Sequence, residues 1–472
     1  MQPKNIYTVY FKKLSRWYDP AIVFTALFSS EEYSFWLDSS KVEEGLSQFS
    51  YMGDVNGSRS KKIRYNTAKK KITINEKEQS VSIFDYLEKK LNECVSKENV
   101  PFDFIGGFVG YFGYELQAEC GSKQFHTSQY PDAYFFFIDR FLAFDHKEKE
   151  VYLVCLSENK EEADDWFNGV IKKIHVGVGL VPALSGNIRK GNHNKLPLRI
   201  TGITHNQYLK DIKTCQEHLQ KGESYQICLT NQITVQKQTT PRDWLSLYLT
   251  LRKISPAPYS AYMRYGDFAI LSSSPEMFLK IDKERIVTSK PIKGTIRRGK
   301  TEEEDTKLAE NLGKTEKDFA ENAMIVDLVR NDLGRVCEIG SVEVAKFLAV
   351  ETYATMHQLV STVKGKLRND ISVFDVVKAV FPGGSMTGAP KLQAMKIIAE
   401  IEKKARGIYS GSLGFLSLNG TVDLSIIIRT IIAQETGVQF GAGGAILVES
   451  DPESEYQEML LKTKALMEAI NL

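Results

Sequence analysis

The chain has 472 residues, of which 42% are hydrophobic and 25% charged, and its formal net charge is +2. These values are typical of a folded globular protein with two ordinary domains or one large composite one. A nearly balanced charge produces no overall field that would attract nucleic acid or an anionic membrane, so we expect neither partner.

The six cysteines, at positions 94, 120, 155, 215, 228 and 337, are scattered, and no two form a C-x-x-C pair. This spacing favours neither a zinc site nor a disulfide framework. Free thiols are typical of a reducing compartment. The N-terminus lacks the apolar core of a signal peptide, and no apolar stretch is long enough to span a bilayer. We therefore expect a cytoplasmic protein.

Residues 1–179 are predicted to form an N-terminal region of short strands that closes with a helix. A basic run at 58–71 is interrupted by polar and apolar residues, which favours a solvated hairpin over a nucleic-acid patch. The glycine-rich segment 106–115 fits tight sheet packing better than a ligand site. Further strands are predicted at 134–145 and 150–155, and the helix at about 160–174.

Residues 180–199 mix Gly, Pro, Asn and Lys without an acid, and are predicted to link this region to a second one, 200–472. Helices are predicted at 206–221 and from about 315 to 331, with Gly334 as a stop signal, and strands at 225–235, 259–265, 268–273, 277–281, 285–290, 409–418, 421–433 and 438–448. Asn419-Gly420 predicts a type I′ hairpin turn, and Asp451-Pro452 the start of a last helix. Separate runs of strands and helices favour an α+β fold with antiparallel sheets.

The last helix places Glu455, Glu458 and Lys462 three and four positions apart, so their side chains share one face. Such a set is either a solvated ion-pair ladder, which spacing alone favours, or part of a cation site. Glu321 is a second carboxylate candidate, at the point where a charged helix turns apolar. Because Mg²⁺ takes one or two carboxylates together with waters and substrate oxygens, Glu321 and Glu458 are candidate ligands.

Other residues are candidates for binding anions or for nucleophilic chemistry. Residues 382–391 superficially resemble a P-loop, but Ala389-Pro390 replaces the Lys-Ser/Thr that nucleotide binding requires. Gly441 to Gly444 lie inside a predicted strand, where close packing is the alternative to anion binding. Arg429 lies on an otherwise apolar strand, which predicts a ligand carboxylate as its partner. Lys293 follows a strand and could act as a nucleophile, although most lysines are solvated.

Together these segments resemble the chorismate-utilising family, which includes anthranilate, aminodeoxychorismate, isochorismate and salicylate synthases. The matching stretches are Ser272 to Glu276, Pro291 to Thr295, Asp327 to Asp332, Phe381 to Lys391, Ile428 to Thr430, Gly441 to Gly444 and Glu455 to Glu458. The first region is similar more loosely, through Leu37 to Ser40 and Gly106 to Glu115. The resemblance implies two stacked antiparallel sheets with helices on the outside, formed by both regions together.

Two positions separate the members of this family. Water-adding members place a base lysine at the position of Gln226, so glutamine argues against isochorismate or salicylate synthesis. Anthranilate synthases typically read Pro-Ile-Ala-Gly-Thr where this chain has Lys293, as many aminodeoxychorismate synthases do. The resemblance therefore implies conversion of chorismate and ammonia to 4-amino-4-deoxychorismate, which precedes para-aminobenzoate in folate biosynthesis. An anthranilate synthase large subunit and a non-catalytic tryptophan-binding relative are the alternatives.

The resemblance also implies roles for individual residues. Lys293 would form a covalent adduct with the ring, and Glu276 would protonate the departing hydroxyl. Mg²⁺ would be held by Glu321 and Glu458, with Glu455 close by or acting through water. Substrate contacts would come from Gly294, Thr295, Tyr409, Arg429, Gly441, Gly443 and Lys462.

Partners follow from what the sequence contains. It has no Gly-x-Cys-x-Gly glutaminase elbow, so we expect a separate glutamine amidotransferase subunit to supply ammonia and to form a heterodimer.

Asp38 and Ser39 resemble part of a tryptophan site. Anthranilate synthases usually place a histidine directly before Leu-Val-Ser, but Gln358 stands there in this chain. His357 lies one position earlier and is assigned no role.

Overall fold

The computed structural model describes residues 7–42, 46–92, 100–180, 199–312, 316–352 and 356–471. The predicted linker, 180–199, lies almost wholly outside these ranges, so the boundary between the two regions stays a prediction. Among the described residues, no helix is both long and apolar enough to cross a membrane.

The described helices are α1 Pro20–Phe28, α2 Ile83–Leu91, α3 Lys160–Leu180, α4 His205–Gln220, α5 Pro241–Ile254, α6 Glu302–Asn311, α7 Glu316–Gly334, α8 Val373–Val380, α9 Lys391–Glu402 and α10 Pro452–Asn471. The strands are β1 Thr8–Lys13, β2 Tyr33–Asp38, β3 Phe49–Asp54, β4 Lys61–Asn66, β5 Lys71–Ile74, β6 Lys77–Gln79, β7 Gly107–Phe112, β8 Ala133–Ile138, β9 Arg140–Asp145, β10 Glu150–Ser157, β11 Arg199–Thr201, β12 Gln226–Gln236, β13 Tyr259–Tyr265, β14 Phe268–Ser274, β15 Met277–Ile281, β16 Ile286–Lys290, β17 Ile292–Arg297, β18 Glu343–Thr352, β19 Met356–Lys366, β20 Gly388–Ala389, β21 Ser412–Ser417, β22 Val422–Ile426, β23 Thr430–Gln434 and β24 Gly437–Ile446.

These strands form two large antiparallel sheets, and both sequence regions contribute to each. The first has the order β1-β10-β9-β3-β2-β13-β14-β23-β24-β12-β11, with β20 beside β12. The second has the order β17-β19-β16-β15-β22-β21-β7-β8-β4-β5-β6, with β18 beside β19. The α+β architecture implied by the sequence is therefore confirmed.

The two sheets pack face to face through aromatic side chains. The rings of Tyr51 on β3 and Phe415 on β21 lie 5.6 Å apart, and those of Tyr265 on β13 and Tyr134 on β8 lie 4.5 Å apart. The outer face of the first sheet is covered by helices, through fully buried residues such as Phe24 and Trp244. Burying one such side chain contributes roughly 1.5–3 kcal/mol, so this layering supplies the rigid frame for the site.

The segment predicted as one strand at 134–145 is two strands in different sheets. β8 pairs with β7 and β4, whereas β9 pairs with β10 and β3. Asp139 lies at the crossing, where its carboxylate accepts from Arg59 N at 2.9 Å and from Ser60 Oγ at 2.7 Å. The apolar residues continue across this point, so the sequence shows no break.

The predicted hairpin joins β21 and β22, but its turn is not type I′. Of the two central residues only Gly420 has a positive φ, 86°, and type I′ requires both. Ser417 N donates to Thr421 O at 2.9 Å, and Asn419 Oδ1 accepts from Thr421 N at 3.1 Å. The side chain of Asn419 therefore closes a longer loop.

Two helix ends were also predicted. Asp451 caps α10 as expected, because its Oδ2 accepts from Ser454 N at 2.9 Å. α7 ends at Gly334, the predicted stop signal, and so runs past the predicted end at Asn331. The predicted start of α7, at about 315, lies outside the described residues.

Candidate active site

Glu276 occupies the centre of the candidate site, immediately before β15. It is 6% exposed, and burial raises its pKa to about 7. The Ser385 hydroxyl, the Lys293 and Lys462 ammonium groups and the Ile292 N–H partly oppose this shift. A carboxyl that keeps its proton near neutral pH is suited to donate it to a leaving group.

Lys293 lies on β17, beside Glu276 and opposite α7. Its Nζ is 3.2 Å from Glu321 Oε2, and both side chains are mostly buried. Gly294 follows with φ of 64°, where the pairing of β17 with β19 shifts register. The side chain of Thr295 lies outside the part of the chain that the structure describes. The structure thus brings together a lysine and a carboxylate that are 28 positions apart in sequence.

Lys462 and Glu458 face the same space from α10. Lys462 Nζ lies 2.8 Å from Glu458 Oε1 and donates to Gly443 O at 2.9 Å. The ammonium groups of Lys293 and Lys462 both lower the pKa of Glu276, so both lie near this carboxyl, and we call the space between these three side chains the cleft.

Glu455 lies deeper than Glu458, at 3% exposure, and accepts from Ser450 Oγ at 2.7 Å. A Cβ built on Gly444 would lie 3.2 Å from Glu455 Oε2 and 3.8 Å from Lys462 Nζ. The glycine therefore leaves room for both charged groups against β24.

The three carboxylates Glu321, Glu455 and Glu458 do not form a ready metal cluster. The described residues contain no group of three His, Cys, Asp or Glu side chains placed to hold a metal ion. Glu321 and Glu458 each pair with a lysine on a wall of the cleft. Two carboxylates suffice for Mg²⁺ when waters and substrate oxygens complete the shell, so these residues fit that ion.

The sequence predicted that Arg429 lies on a strand, but in the structure it does not. β22 of the second sheet ends at Ile426 and β23 of the first begins at Thr430, and Arg429 lies in the crossing with φ of 51°. Burial lowers its pKa, and its guanidinium makes no hydrogen bond among the described residues. It therefore keeps its capacity to bind an anion.

Tyr409 packs on β24 close to Arg429. A Cβ built on Gly441 would lie 2.3 Å from the Tyr409 ring, so this contact requires glycine. Gly443 likewise has no space for a Cβ, which would lie 2.1 Å from Leu229 O of β12. β23 pairs with β24 only as far as Phe440. From Gly441 onward, one edge of β24 has no paired strand in the described structure, and Lys462 Nζ donates to Gly443 O there.

Sequence reasoning missed two residues that shape this cleft. Ser385, which hydrogen-bonds Glu276, lies in the matching stretch Phe381 to Lys391, but the sequence suggested no role for it. Arg406 is buried, is bidentate to Glu402 at 2.7 and 2.9 Å, and donates to Met386 O and Cys228 O. The i,i+4 spacing of Glu402 and Arg406 is typical of an exposed ion pair on a helix, and only the burial of both side chains distinguishes this pair.

Gln226 faces the interior on the same side of β12 as Cys228, since the alternate residues Ile227 and Leu229 pack in a separate apolar cluster under the helices. It is fully buried, and neither terminal amide atom has a hydrogen-bond partner among the described residues. The position thus offers neutral hydrogen-bonding groups and no titratable base.

Asp38 and Ser39 line a different cavity of about 170 Å³. Asp38 accepts from Arg252 Nε at 2.5 Å and from Tyr248 OH at 3.0 Å, and Ser39 Oγ donates to Phe49 O at 2.6 Å. The lining includes Lys280 and none of the cleft residues described above. Both predicted residues thus border a ligand-sized space, although the Asp38 carboxylate is already engaged.

Comparison with known proteins matches residues 35–468 to the chorismate binding enzyme family. The chain is 40% identical to the aminodeoxychorismate synthase of Streptomyces pristinaespiralis, over 99% of this chain and 66% of that protein. It is 42% identical to a probable chloroplastic aminodeoxychorismate synthase of Oryza sativa subsp. japonica, over 94% of this chain and 54% of that protein.

The chain therefore spans between about half and two thirds of the length of these relatives. Among solved structures, anthranilate synthase component I from Streptococcus pneumoniae TIGR4 superposes with a TM-score of 0.74 at 30% identity. This superposition covers 90% of this chain and 93% of that one. From the family match, these relatives and the shared fold, we conclude that the chain belongs to the chorismate-binding enzyme family.

Proposed function

We propose that this chain converts chorismate and ammonia to 4-amino-4-deoxychorismate. The observation that carries the proposal is the placement of Lys293 beside Glu276, a lysine and a buried acid in one cleft. The identity to aminodeoxychorismate synthases supports it. Anthranilate synthase remains the alternative, since component I of that enzyme has the same fold.

In the first step the Lys293 amine attacks ring C2 as the C4 hydroxyl departs. The N–C2 bond forms, the C1=C2 and C5=C6 double bonds shift to C1=C6 and C4=C5, and the C4–O bond breaks. Hydroxide is a poor leaving group, so Glu276 donates its proton and water leaves. Two easier substitutions thereby replace a single difficult one.

In the second step ammonia attacks C4, both double bonds return to C5=C6 and C1=C2, and Lys293 leaves C2 with its electron pair. The new C4 ammonium group can return a proton to the Glu276 carboxylate. The enolpyruvyl ether is untouched throughout. The carboxylates and the ether would be held by Arg429, Tyr409, Lys462 and the unpaired edge of β24 at Gly441 and Gly443. Gly294 and Thr295 would border the ring.

We further propose that the enzyme uses Mg²⁺, held by Glu321 and Glu458 with Glu455 nearby. When bound, the ion would supply positive charge at the ring carboxylate, which favours charge build-up on the ring. Glu321 lies within reach of Lys293, and Glu458 within reach of Lys462. Each carboxylate that would hold the ion therefore neighbours a lysine that we propose handles the substrate.

Replacing Glu321 or Glu458 with Ala should remove most activity and leave the fold intact, because Mg²⁺ loses one of two carboxylates. Turnover across a Mg²⁺ titration checks this, and Mn²⁺ binding followed by electron paramagnetic resonance checks it without turnover. Glu453→Ala, on the exposed start of α10, is the matched control. Wild-type turnover at limiting Mg²⁺ would count decisively against the residue concerned.

Ammonia would come from a separate glutamine amidotransferase subunit. The purified chain with chorismate, Mg²⁺ and glutamine should therefore be silent, whereas ammonium salts at alkaline pH should restore turnover. Chorismate consumption measures both. Glutamine-dependent turnover by the highly purified single chain would overturn the two-subunit proposal, and no turnover with ammonia would overturn the enzymatic one.

We also propose that the cavity at Asp38 and Ser39 takes tryptophan. Its volume of about 170 Å³ suits an aromatic amino acid, and its lining combines Phe49 and Tyr51 with Lys280. Because Asp38 is paired with Arg252, its carboxylate would organise the wall and leave contact with the ligand to its neighbours.

A further inference from the structure

Lys293 lies on a strand that the sheet alone secures poorly. In the described structure β17 pairs on one side only, with β19. The register shifts between Lys293 and Thr295, directly after the lysine. Pairing resumes with Thr295 opposite Gln358 and continues through Ile296 opposite His357 to Arg297 opposite Met356. Because a register shift interrupts the ladder, the position of Lys293 depends on what secures the strand beyond it.

Asp305 of α6 secures that end of β17. Its Oδ1 accepts from Arg298 Nε at 2.8 Å and from Gly299 N at 2.7 Å, and its Oδ2 accepts from Arg298 Nη2 at 2.6 Å. The bidentate Arg298 contact lowers the pKa of Asp305. A bidentate guanidinium–carboxylate pair fixes orientation as well as distance.

His357 connects this carboxylate to β19. The side chain is 1% exposed, its Nε2 lies 2.9 Å from Asp305 Oδ1, and its Nδ1 lies 2.9 Å from Thr352 Oγ1. An ionised carboxylate only accepts, so Nε2 carries a proton and donates to Asp305. One carboxylate is therefore held by the residue that follows β17 and by a residue of its neighbour β19.

We propose that His357 is a positioning residue: through Asp305 it fixes β17 against β19 and so holds Lys293 in line with the substrate ring. This proposal rests on the proposed function of Lys293. A misplacement of about 1 Å can cost about 100-fold in rate, so a contact remote from the substrate can govern turnover.

Three substitutions separate the two contacts of His357. Gln can reach Asp305 but not Thr352, Asn can reach Thr352 but not Asp305, and Leu reaches neither. We expect His357→Gln to keep kcat within about 3-fold of wild type, and His357→Asn and His357→Leu to lower kcat about 10-fold or more with little change in KM for chorismate. Lys307→Ala, which breaks an exposed pair on the same helix, is the control.

A second readout does not depend on turnover. The rate at which an amine-reactive acylating reagent labels Lys293, measured by peptide mass spectrometry relative to Lys290, should change in the Asn variant and not in the Gln variant. Equal kcat and equal labelling in the Gln and Asn variants would overturn the proposal. If the Leu variant does not fold, Asp305→Asn carries the same expectation. A wild-type chain that never consumes chorismate would refute the proposed function, while the labelling would still test the positioning.

Discussion

Replacing Lys293 with Ala should lower chorismate consumption by about 100-fold or more, because the enzyme loses the group that forms the first bond. In other covalent enzymes, loss of the nucleophile costs up to about 10⁶-fold in kcat. The substitution recreates the Pro-Ile-Ala-Gly-Thr pattern and opens ring C2 to ammonia. Any remaining product should therefore shift toward anthranilate. Steady-state rates and chromatography of the products check both expectations.

Lys290→Ala provides the matched control. Lys290 lies three residues earlier, and its Nζ pairs with Glu351 at 3.1 Å. This variant should keep both rate and product. If Lys293→Ala showed full speed and an unchanged product, the assignment of the reaction would stand and the covalent role of Lys293 would fall.

Replacing Glu276 with Gln should lower kcat by about 10²- to 10⁴-fold, the range for losing a general acid. The amide keeps the size of the side chain and its contact with Ser385, but it cannot donate an acidic proton. Glu343→Gln, an exposed glutamate on β18 paired with Lys364, should have no effect. A Glu276→Gln enzyme with more than a tenth of wild-type activity would exclude Glu276 as the acid.

The effect of the Glu276→Gln substitution should also depend on pH in a stated direction. Burial raises the pKa of Glu276 to about 7, so the donating form predominates below pH 7 and is lost above it. The ratio of wild-type to variant kcat/KM for chorismate should be largest below pH 7 and should shrink as the pH rises through it. Taking the ratio removes any pH dependence that the two proteins share. Free ammonia must be held constant by adjusting the ammonium salt.

The sequence predicted those elements whose signals lie within a few neighbouring residues. β13 and β15 coincide with their predicted ranges, and Asp451 caps α10 as its spacing before Pro452 suggests. The 134–145 segment failed because its hydrophobic pattern does not record that the chain changes sheets at Asp139. Arg429 was misplaced for the same reason, since apolar residues flank the crossing on both sides.

The site was predictable only where residue type and motif coincided. Lys293 and Glu276 belong to stretches that resemble the family, and the structure places them close together. No spacing rule could show that Glu321 meets Lys293, because that contact depends on α7 packing beside β17. The buried Arg406–Glu402 pair and the His357–Asp305 contact were missed because burial, which gives them their strength, is a property of the folded chain.

The identity of the product tests the central claim most directly. The purified chain with chorismate, Mg²⁺ and ammonia should consume chorismate without releasing stoichiometric pyruvate, because attack at C4 leaves the enolpyruvyl ether intact. A lyase specific for aminodeoxychorismate, added afterwards, should then yield pyruvate and para-aminobenzoate in equal amounts. Anthranilate and pyruvate appearing together from the unmodified chain would contradict this account and make the protein an anthranilate synthase.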